Sequence, residues 1–153
     1  MLCKLLGKTY KSNLCEVTQM ENCIFCKIVN GQIPSHKIYE DEHTYAFLDI
    51  SCDTYGHTLV IPKAHYVNVL DCDADILAKV MQTVQKVANH YVNNCGFGGV
   101  NILNASGKDA DQSVFHLHFH IIPRKADDGV NAWPFHDKFD YNLPEICQAL
   151  KLD

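Results

Sequence analysis

The chain lacks a long apolar run and an excess of positive charge, and both absences narrow what it can do. No stretch approaches the roughly eighteen consecutive apolar residues that a membrane-spanning helix needs. Lysine and arginine total 13 against 18 aspartates and glutamates, which gives a net charge of −5 and argues against broad binding to a nucleic-acid backbone. We therefore expect neither a membrane nor a nucleic acid among its partners.

Secretory features are also scarce. The apolar stretch within residues 1–8 is too short for the hydrophobic region of a signal peptide. There are eight cysteines in 153 residues, but only Cys23 and Cys26 lie close together in the sequence. A disulfide-stapled secreted scaffold would be shorter and richer in loops than this single-domain chain with long regular elements. The sequence thus predicts a reducing compartment and a cytoplasmic protein.

Three histidines alternate near the end of the chain, at His116, His118 and His120, and large apolar residues separate them. A period of two is typical of a strand, so residues 114–123 are predicted to form one with an apolar face and an imidazole face. Same-face neighbours lie about 6.5–7 Å apart, whereas zinc holds each nitrogen at about 2.0–2.1 Å. All three rings can hardly share one ion, so at least one imidazole has a separate role.

The rest of the pattern predicts an α+β fold with an antiparallel sheet, because strands dominate and do not alternate strictly with helices. Strand character is found in residues 37–39, 44–48, 57–61 and 99–103. One long helix is predicted over residues 73–93, with Asp71 or Asp73 as its cap. Shorter helices are expected over residues 22–30, capped by Asn22, and over residues 144–150. Residues 1–20 show no periodicity and are predicted to be a loosely attached extension.

Four ordered segments resemble the blocks of the histidine triad (HIT) superfamily: residues 22–29, 46–50, 56–65 and 112–122, the last reading QSVFHLHFHII. The likeness spans about residues 21–125 of a domain at 21–153, leaves a tail at 126–153, and is closest to the small bacterial and Hint-like branch. It implies a homodimer in which each subunit has a HIT-like fold, a five-stranded antiparallel sheet with one long and one short helix. It also implies cleavage at the α-phosphate of a purine nucleoside phosphoramidate or dinucleoside polyphosphate, through a nucleotidyl-histidine intermediate.

The same resemblance assigns catalytic roles to four residues. His118 would be the nucleophile on the α-phosphorus, and His120 would contact the phosphate and help to protonate the leaving group. His57 matches a fourth histidine that lines the phosphate site, and Ser113 matches a position that holds a phosphoryl oxygen. An imidazole with the usual pKa of about 6.5 is mostly neutral at pH 7 and is then a good nucleophile. If these donors neutralise the phosphate charge, no divalent cation is required.

The resemblance further implies a nucleotide pocket with apolar walls and one carboxylate. A flat base needs apolar area and the ribose hydroxyls need an acceptor, which is the role implied for Asp49. The residues predicted to surround the nucleotide are Ile24, Phe25, Ile28, Phe47, Leu48, Asp49, Ile50, Asn104 and Gln112. The apolar members are equally well explained as ordinary core, but an unpaired carboxylate between two apolar residues would be costly.

A structural zinc site is implied as well. The pair Cys23 and Cys26 supplies two thiolates, and a structural zinc needs four ligands. Relatives with this cysteine pair complete the set with two histidines, whose positions correspond to His65 and His116. This assignment would free His118 and His120 for catalysis. The competing interpretation of a thioredoxin-like redox pair lacks the βαβ pattern that such a pair normally accompanies.

The loop before the histidines departs from the family pattern. Asparagine falls one place early, at Asn104, and is followed by Ala105, while Asp111 replaces the glycine that usually precedes the glutamine. A phosphate-holding amide would be missing unless the loop shifts, and a carboxylate near the phosphate would repel it unless turned outward. These departures support the alternative of a nucleotide-binding regulatory dimer with weak or vestigial hydrolysis. A third hypothesis, a zinc hydrolase that uses metal-bound water, predicts that chelators stop catalysis.

Overall fold

The computed structural model describes residues 22–51, 53–132 and 139–152. The predicted extension over residues 1–20 lies outside them. Within these ranges the elements in chain order are α1 (Ile24–Val29), β1 (Lys37–Glu40), β2 (Thr44–Leu48), β3 (Thr58–Pro62), α2 (Ala74–Asn94), β4 (Gly99–Leu103), a 3-10 turn (Lys108–Ala110), β5 (Phe119–Arg124) and α3 (Leu143–Leu150). The five strands form an antiparallel sheet ordered β1-β2-β3-β5-β4, as the resemblance implies. The three α-helices correspond to the one long and two short helices that the sequence pattern predicts.

The hairpin between β1 and β2 is closed by one carboxylate. Oδ1 of Asp41 accepts hydrogen bonds from the backbone N–H groups of His43 and Thr44, at 2.9 and 2.7 Å, and from the Thr44 hydroxyl at 2.9 Å. Aspartate commonly organises turns in this way, because its side chain accepts from backbone groups two and three residues on. This turn fixes the start of β2.

The long helix α2 covers one face of the sheet. Its buried stripe of Val80, Val84, Val87 and Tyr91 packs on Ala46, Val60 and Ile121, and the Tyr91 hydroxyl lies 2.6 Å from Oγ1 of Thr58. Asp73 precedes the helix as predicted. Its carboxylate, however, accepts from the Tyr66 hydroxyl at 2.7 Å and makes no capping bond, so the cap prediction is right in position and wrong in chemistry.

The short helix α1 covers the opposite face. Phe25 packs there with Phe47, Leu59 and Ile61, which alternate along β2 and β3 with the residues that face α2. Cys23, in extended conformation, immediately precedes this helix. The prediction that Asn22 caps the helix is wrong. No helix in the described ranges is long and apolar enough to cross a membrane.

The histidine segment forms a shorter strand than the sequence predicts, because β5 begins only at Phe119. Phe119 pairs with Val60, and the ladder stops soon afterwards since Pro62 has no N–H to donate. The Pro62 carbonyl instead accepts from Nε2 of His116 at 2.9 Å. The predicted apolar face is also incomplete: Leu117 and Ile121 are buried, whereas Phe115 is 55% exposed.

Candidate functional site

A largely apolar cavity of about 300 Å³ opens beside α1 and the ends of β2 and β5. This volume lies at the lower end of the range for small-molecule sites. Ten predicted site residues line it: Ile24, Phe25, Ile28, Phe47, Leu48, Asp49, Ile50, Ser113, His118 and His120. The structure therefore brings together predicted residues from three separate segments of the chain around one space.

His118 is held in a single tautomer on the cavity wall. Its Nδ1 lies 2.7 Å from the backbone carbonyl of His116, and a carbonyl only accepts, so Nδ1 carries the hydrogen and Nε2 keeps its lone pair. Only 4% of the residue is exposed, and this burial lowers the pKa of the imidazole. The result is a neutral ring with one unprotonated nitrogen, which is the form required of a nucleophile.

His120 lies next to His118, with ring centroids 4.9 Å apart. Its Nδ1 is 2.8 Å from Nε2 of His57, and Nδ1 of His57 is 2.7 Å from Oδ1 of Asp53. His57 is itself nearly buried and lines a second cavity of about 730 Å³ that shares Leu48 and Asp49 with the first. The predicted catalytic histidines thus form one connected group between the two cavities.

Asp49 is the carboxylate that the resemblance predicts to bind the ribose. Oδ1 accepts from the backbone N–H of Ser51 at 2.8 Å, and Oδ2 lies 3.8 Å from Nε2 of His57. The side chain is 19% exposed and lines both cavities. It is therefore partly anchored and still accessible to a ligand.

Asn104 and Gln112 do not line the smaller cavity, so the structure does not place them in the direct nucleotide contact predicted for them. Nδ2 of Asn104 donates to the His118 carbonyl at 2.8 Å. The amide of buried Gln112 donates to the carbonyls of Val67 and Val114 and accepts from the N–H of Gly107. Both amides form hydrogen bonds with backbone groups. These bonds explain how the loop keeps His118 in place although the spacing of the loop residues differs from the family pattern.

Asp111 is exposed and adopts a left-handed conformation with φ of 59°. It does not line the smaller cavity either. The carboxylate that was expected to repel a phosphate unless turned outward is thus on the surface.

The predicted zinc ligands converge on one point. The ligand atoms of Cys23, Cys26, His65 and His116 all lie within 4.8 Å of one another. Nδ1 of His116 is 3.4 Å and 3.5 Å from the two sulfurs and 3.3 Å from Nδ1 of His65. On a tetrahedral zinc with ordinary bond lengths, nitrogens lie about 3.3 Å apart and nitrogen and sulfur about 3.6 Å apart. The spacing therefore fits a four-coordinate zinc.

The protonation of this cluster is also suited to a cation. Nε2 of His116 donates to the Pro62 carbonyl, which leaves the lone pair on Nδ1 facing the sulfurs, an arrangement common behind metal ligands. Burial lowers the pKa of His116 to about 4, so the ring is neutral. Burial and the neighbouring Cys23 raise the pKa of Cys26 to about 12, so its thiol would lose its proton only when a cation binds the sulfur.

Several lining residues were not predicted from the sequence. They lie just after α1, within β3 or beside Ser113: Ile33, Pro34, Ser35, Leu59 and Val114. Asp53, the partner of His57, was missed too. Its signal, a carboxylate four residues before a candidate catalytic histidine, is present in the sequence but is weak outside a helix.

Comparison with known proteins gives consistent results. Residues 30–127 match the HIT domain. The protein hit of Bacillus subtilis is 51% identical over 132 residues, which cover 85% of this chain and 90% of the relative. The adenosine 5'-monophosphoramidase HNT1 of Candida albicans is 42% identical over 136 residues, again 85% and 90%.

One similar protein of known structure binds zinc. The Zn-bound histidine triad family protein of Mycobacterium smegmatis has a TM-score of 0.70 and 39% identity, covering 77% of this chain and 86% of that protein. With this likeness, the domain match and the four ordered sequence blocks, the chain belongs to the HIT domain family.

Proposed function

We propose that this protein is a nucleotide hydrolase that cleaves at the α-phosphate of purine nucleoside phosphoramidates or dinucleoside polyphosphates, through a nucleotidyl adduct on His118. The observation that carries the proposal is the backbone-fixed tautomer of His118 on the cavity wall. A phosphoramidase among the relatives supports the reaction class.

In the first step, Nε2 of His118 attacks the α-phosphorus and the bond from phosphorus to the leaving group breaks. The leaving nitrogen or oxygen takes a proton from Nε2 of His120, because an amide or phosphate oxyanion is a poor leaving group without one. In the second step, water attacks the phosphorus and gives its proton to His120. The bond to His118 then breaks, which releases the nucleoside monophosphate and restores the neutral imidazole.

The cavity suits the nucleoside part of such a substrate. The base would lie between α1 and β2, against Phe25, Ile28 and Phe47, while Asp49 accepts from the ribose hydroxyls. Ser113, exposed at the cavity, would donate to a phosphoryl oxygen. Such donors stabilise the charge that develops on phosphorus in the transition state.

We assign Cys23, Cys26, His65 and His116 to a structural zinc. Four protein ligands close a tetrahedral site and leave no position for a reactive water, so the metal would stabilise the fold and not take part in the cleavage. This argues against the zinc-hydrolase hypothesis. Zinc in this site would tie α1 to the segment that carries His118.

A homodimer remains our expectation. Strand β4 lies at the edge of the sheet, and Ile102 within it is 42% exposed. An exposed edge strand offers unpaired backbone groups to a second copy. Sedimentation velocity tests this, and a monomer at micromolar concentration would contradict it. The cytoplasmic location likewise stays a prediction.

The reaction is tested by trapping the adduct. Rapid acid quench of the protein with adenosine 5'-phosphoramidate, followed by mass spectrometry of a digest, should find adenylate on the peptide that contains His118. Steady turnover should yield AMP and ammonia. A protein that binds AMP but neither forms the adduct nor turns over the phosphoramidate would instead support the regulatory, vestigial alternative.

A further inference from the structure

The loop before β3 carries a carboxylate that the proposed reaction does not use. Oδ1 of Asp53 lies 2.7 Å from Nδ1 of His57, and Nε2 of His57 lies 2.8 Å from Nδ1 of His120. Both distances are those of hydrogen bonds. A continuous chain of hydrogen bonds therefore connects Asp53, whose side chain is 56% exposed, with a ring on the wall of the cavity.

The directions of these bonds follow from the acceptor at one end. An ionised carboxylate only accepts, so Nδ1 of His57 carries a hydrogen. Between His57 and His120 there is then one hydrogen, on either nitrogen. When it belongs to His120, both rings are neutral and Nε2 of His120 has a lone pair. When Nε2 of His120 binds one further proton, the shared hydrogen moves to His57 and that ring becomes the cation, so the pair alternates between a base and an acid.

A cation bound by Asp49, His57 and His120 is the rival explanation, since one ligand atom of each lies within 4.8 Å of the others. The separation of 2.8 Å between the two ring nitrogens is shorter than the roughly 3.3 Å expected for two nitrogens on a tetrahedral zinc. A direct hydrogen bond explains this distance better. The two histidines are thus partners of each other.

We propose that Asp53 is a positioning residue that holds His57 in line with His120 and stabilises the cationic state of the pair, so that the pair delivers a proton to the leaving group. The inference rests on the proposed function. As Nε2 of His120 gives its proton to the leaving atom, Nδ1 takes the proton from Nε2 of His57. When water later attacks the adduct, its proton enters at Nε2 of His120 and the Nδ1 proton returns to His57.

The electrostatics of the group agree with shared storage of this proton. Burial and the nearby rings of His118 and His57 lower the pKa of His120 to about 4, while Asp49 and Asp53 act in the opposite direction. Alone, His120 would hold almost no proton at neutral pH. Partial burial raises the pKa of Asp53, but the hydrogen bond and charge of His57 leave it below its ordinary value, so Asp53 is ionised.

The test compares two substrates that differ in their need for a proton. Adenosine 5'-phosphoramidate must release ammonia, which needs a proton, whereas adenosine 5'-(4-nitrophenyl phosphate) releases a stable phenolate. For Asp53→Ala, the first-turnover rate on the phosphoramidate should fall about tenfold. This loss is smaller than that expected on removing a general acid itself, because Asp53 is half exposed and its charge is partly screened. The burst of 4-nitrophenolate should stay within about twofold. Asp53→Asn, which keeps an acceptor but loses the charge, should fall between Asp53→Ala and wild type.

Asp75→Asn, on the exposed start of α2, serves as the matched control and should change neither rate. AMP affinity and thermal midpoint verify that each variant is folded. In a His57→Gln background, adding Asp53→Ala should have little further effect, because the two act as a unit.

Equal losses on both substrates, or no loss on either, would overturn the role of Asp53. The proposed function would survive that result as long as wild-type protein hydrolyses the phosphoramidate through the His118 adduct. Failure of the wild-type protein to form the adduct would overturn the proposed function itself, so the two failures are distinguishable.

Discussion

His116 takes part in two sites through different parts of one residue. Its ring faces the cysteine and histidine cluster, while its backbone carbonyl fixes the tautomer of His118. Alternate spacing makes this possible, because a carbonyl lies within reach of the side chain two residues on. Strand geometry indicated that at least one imidazole has a separate role, and the ring of His116, which faces this cluster, explains it.

At this scale we predict that His118→Ala abolishes turnover while nucleotide binding persists. The variant loses the only atom that bonds to phosphorus in the proposed reaction, so kcat for adenosine 5'-phosphoramidate should fall by at least about a thousandfold. AMP affinity by calorimetry should change little, since the apolar walls and Asp49 remain. His90→Ala, at an exposed position on α2, should leave both quantities unchanged. Unaltered turnover in His118→Ala would remove this residue from the mechanism.

Individual site residues were predictable where chemistry and spacing coincide. The alternating histidines, Asp49 and the cysteine pair each combine an unusual residue type with a specific position. The sequence does not show what Gln112 and Asn104 bind, because an amide serves a phosphate and a backbone carbonyl equally well. Only the fold shows which partner is in reach.

Among the secondary structure elements, β5 shows why the sequence alone misplaces a boundary. Alternation of apolar and polar residues continues from residue 114, but pairing requires a neighbour with free N–H and C=O groups. Pro62 lacks the N–H, and its carbonyl is already taken by His116. By contrast, β2 and β4 were predicted correctly to the residue, since nothing from distant parts of the chain interrupts them.

For the β1–β2 hairpin we predict a pH-dependent contribution from Asp41. Partial burial raises the pKa of this carboxyl, but the hydrogen bonds from His43 and Thr44 lower it more, so it lies below its ordinary value. Asp41→Asn should reduce the free energy of unfolding by about 1–2 kcal/mol at neutral pH. Because the folded pKa is depressed, this difference is fully present above the unfolded pKa of about 3.9 and disappears as pH falls through the folded value. Urea titrations from pH 3 to 7 measure it, and a difference independent of pH would contradict the assignment.

The turn before β3 depends on glycine. Gly56 has φ of +78°, and a Cβ there would lie 3.2 Å from Cγ of Pro123. Gly56→Ala should therefore cost about 1–2 kcal/mol of stability from the backbone strain alone, measured by urea unfolding, and should slow turnover by displacing His57.

Gly98→Ala is the control for this change. Its Cβ would meet only the Arg124 carbonyl at an ordinary 3.8 Å, so its effect should stay within about 0.5 kcal/mol. Equal losses for the two variants would refute the strain argument.

For the whole molecule, the sheet separates a structural layer from a functional one. Helix α2 and its valine stripe cover one face, and the smaller cavity and the cluster of cysteines and histidines lie with α1 on the other. The two-layer arrangement follows from the hydrophobic pattern. The place where α1 meets the histidines does not follow from that pattern, since it depends on contacts between residues ninety or more positions apart.

We predict that the purified protein contains one zinc per chain and that Cys26→Ser loses it. Without the metal, polar groups of the cluster stay buried without their ligand, and α1 is no longer linked to the segment that carries His118. The thermal midpoint should therefore fall by on the order of 10 °C. Elemental analysis and calorimetry measure both effects. Cys95→Ser, at an exposed free cysteine, should retain the metal and the midpoint. Full stability of a metal-free Cys26→Ser protein would argue against the structural role.

Helix α1 has only six residues, with Cys26, a member of the proposed zinc site, next to the cavity-lining Phe25. A helix this short has little stability of its own. Binding of either zinc or the nucleotide would therefore order the helix and prepare it for the other ligand. Zinc and nucleotide should then each raise the affinity for the other by the same factor, as thermodynamic linkage requires. When zinc is scarce, the protein should therefore bind its nucleotide more weakly, although the steps of the proposed reaction stay the same.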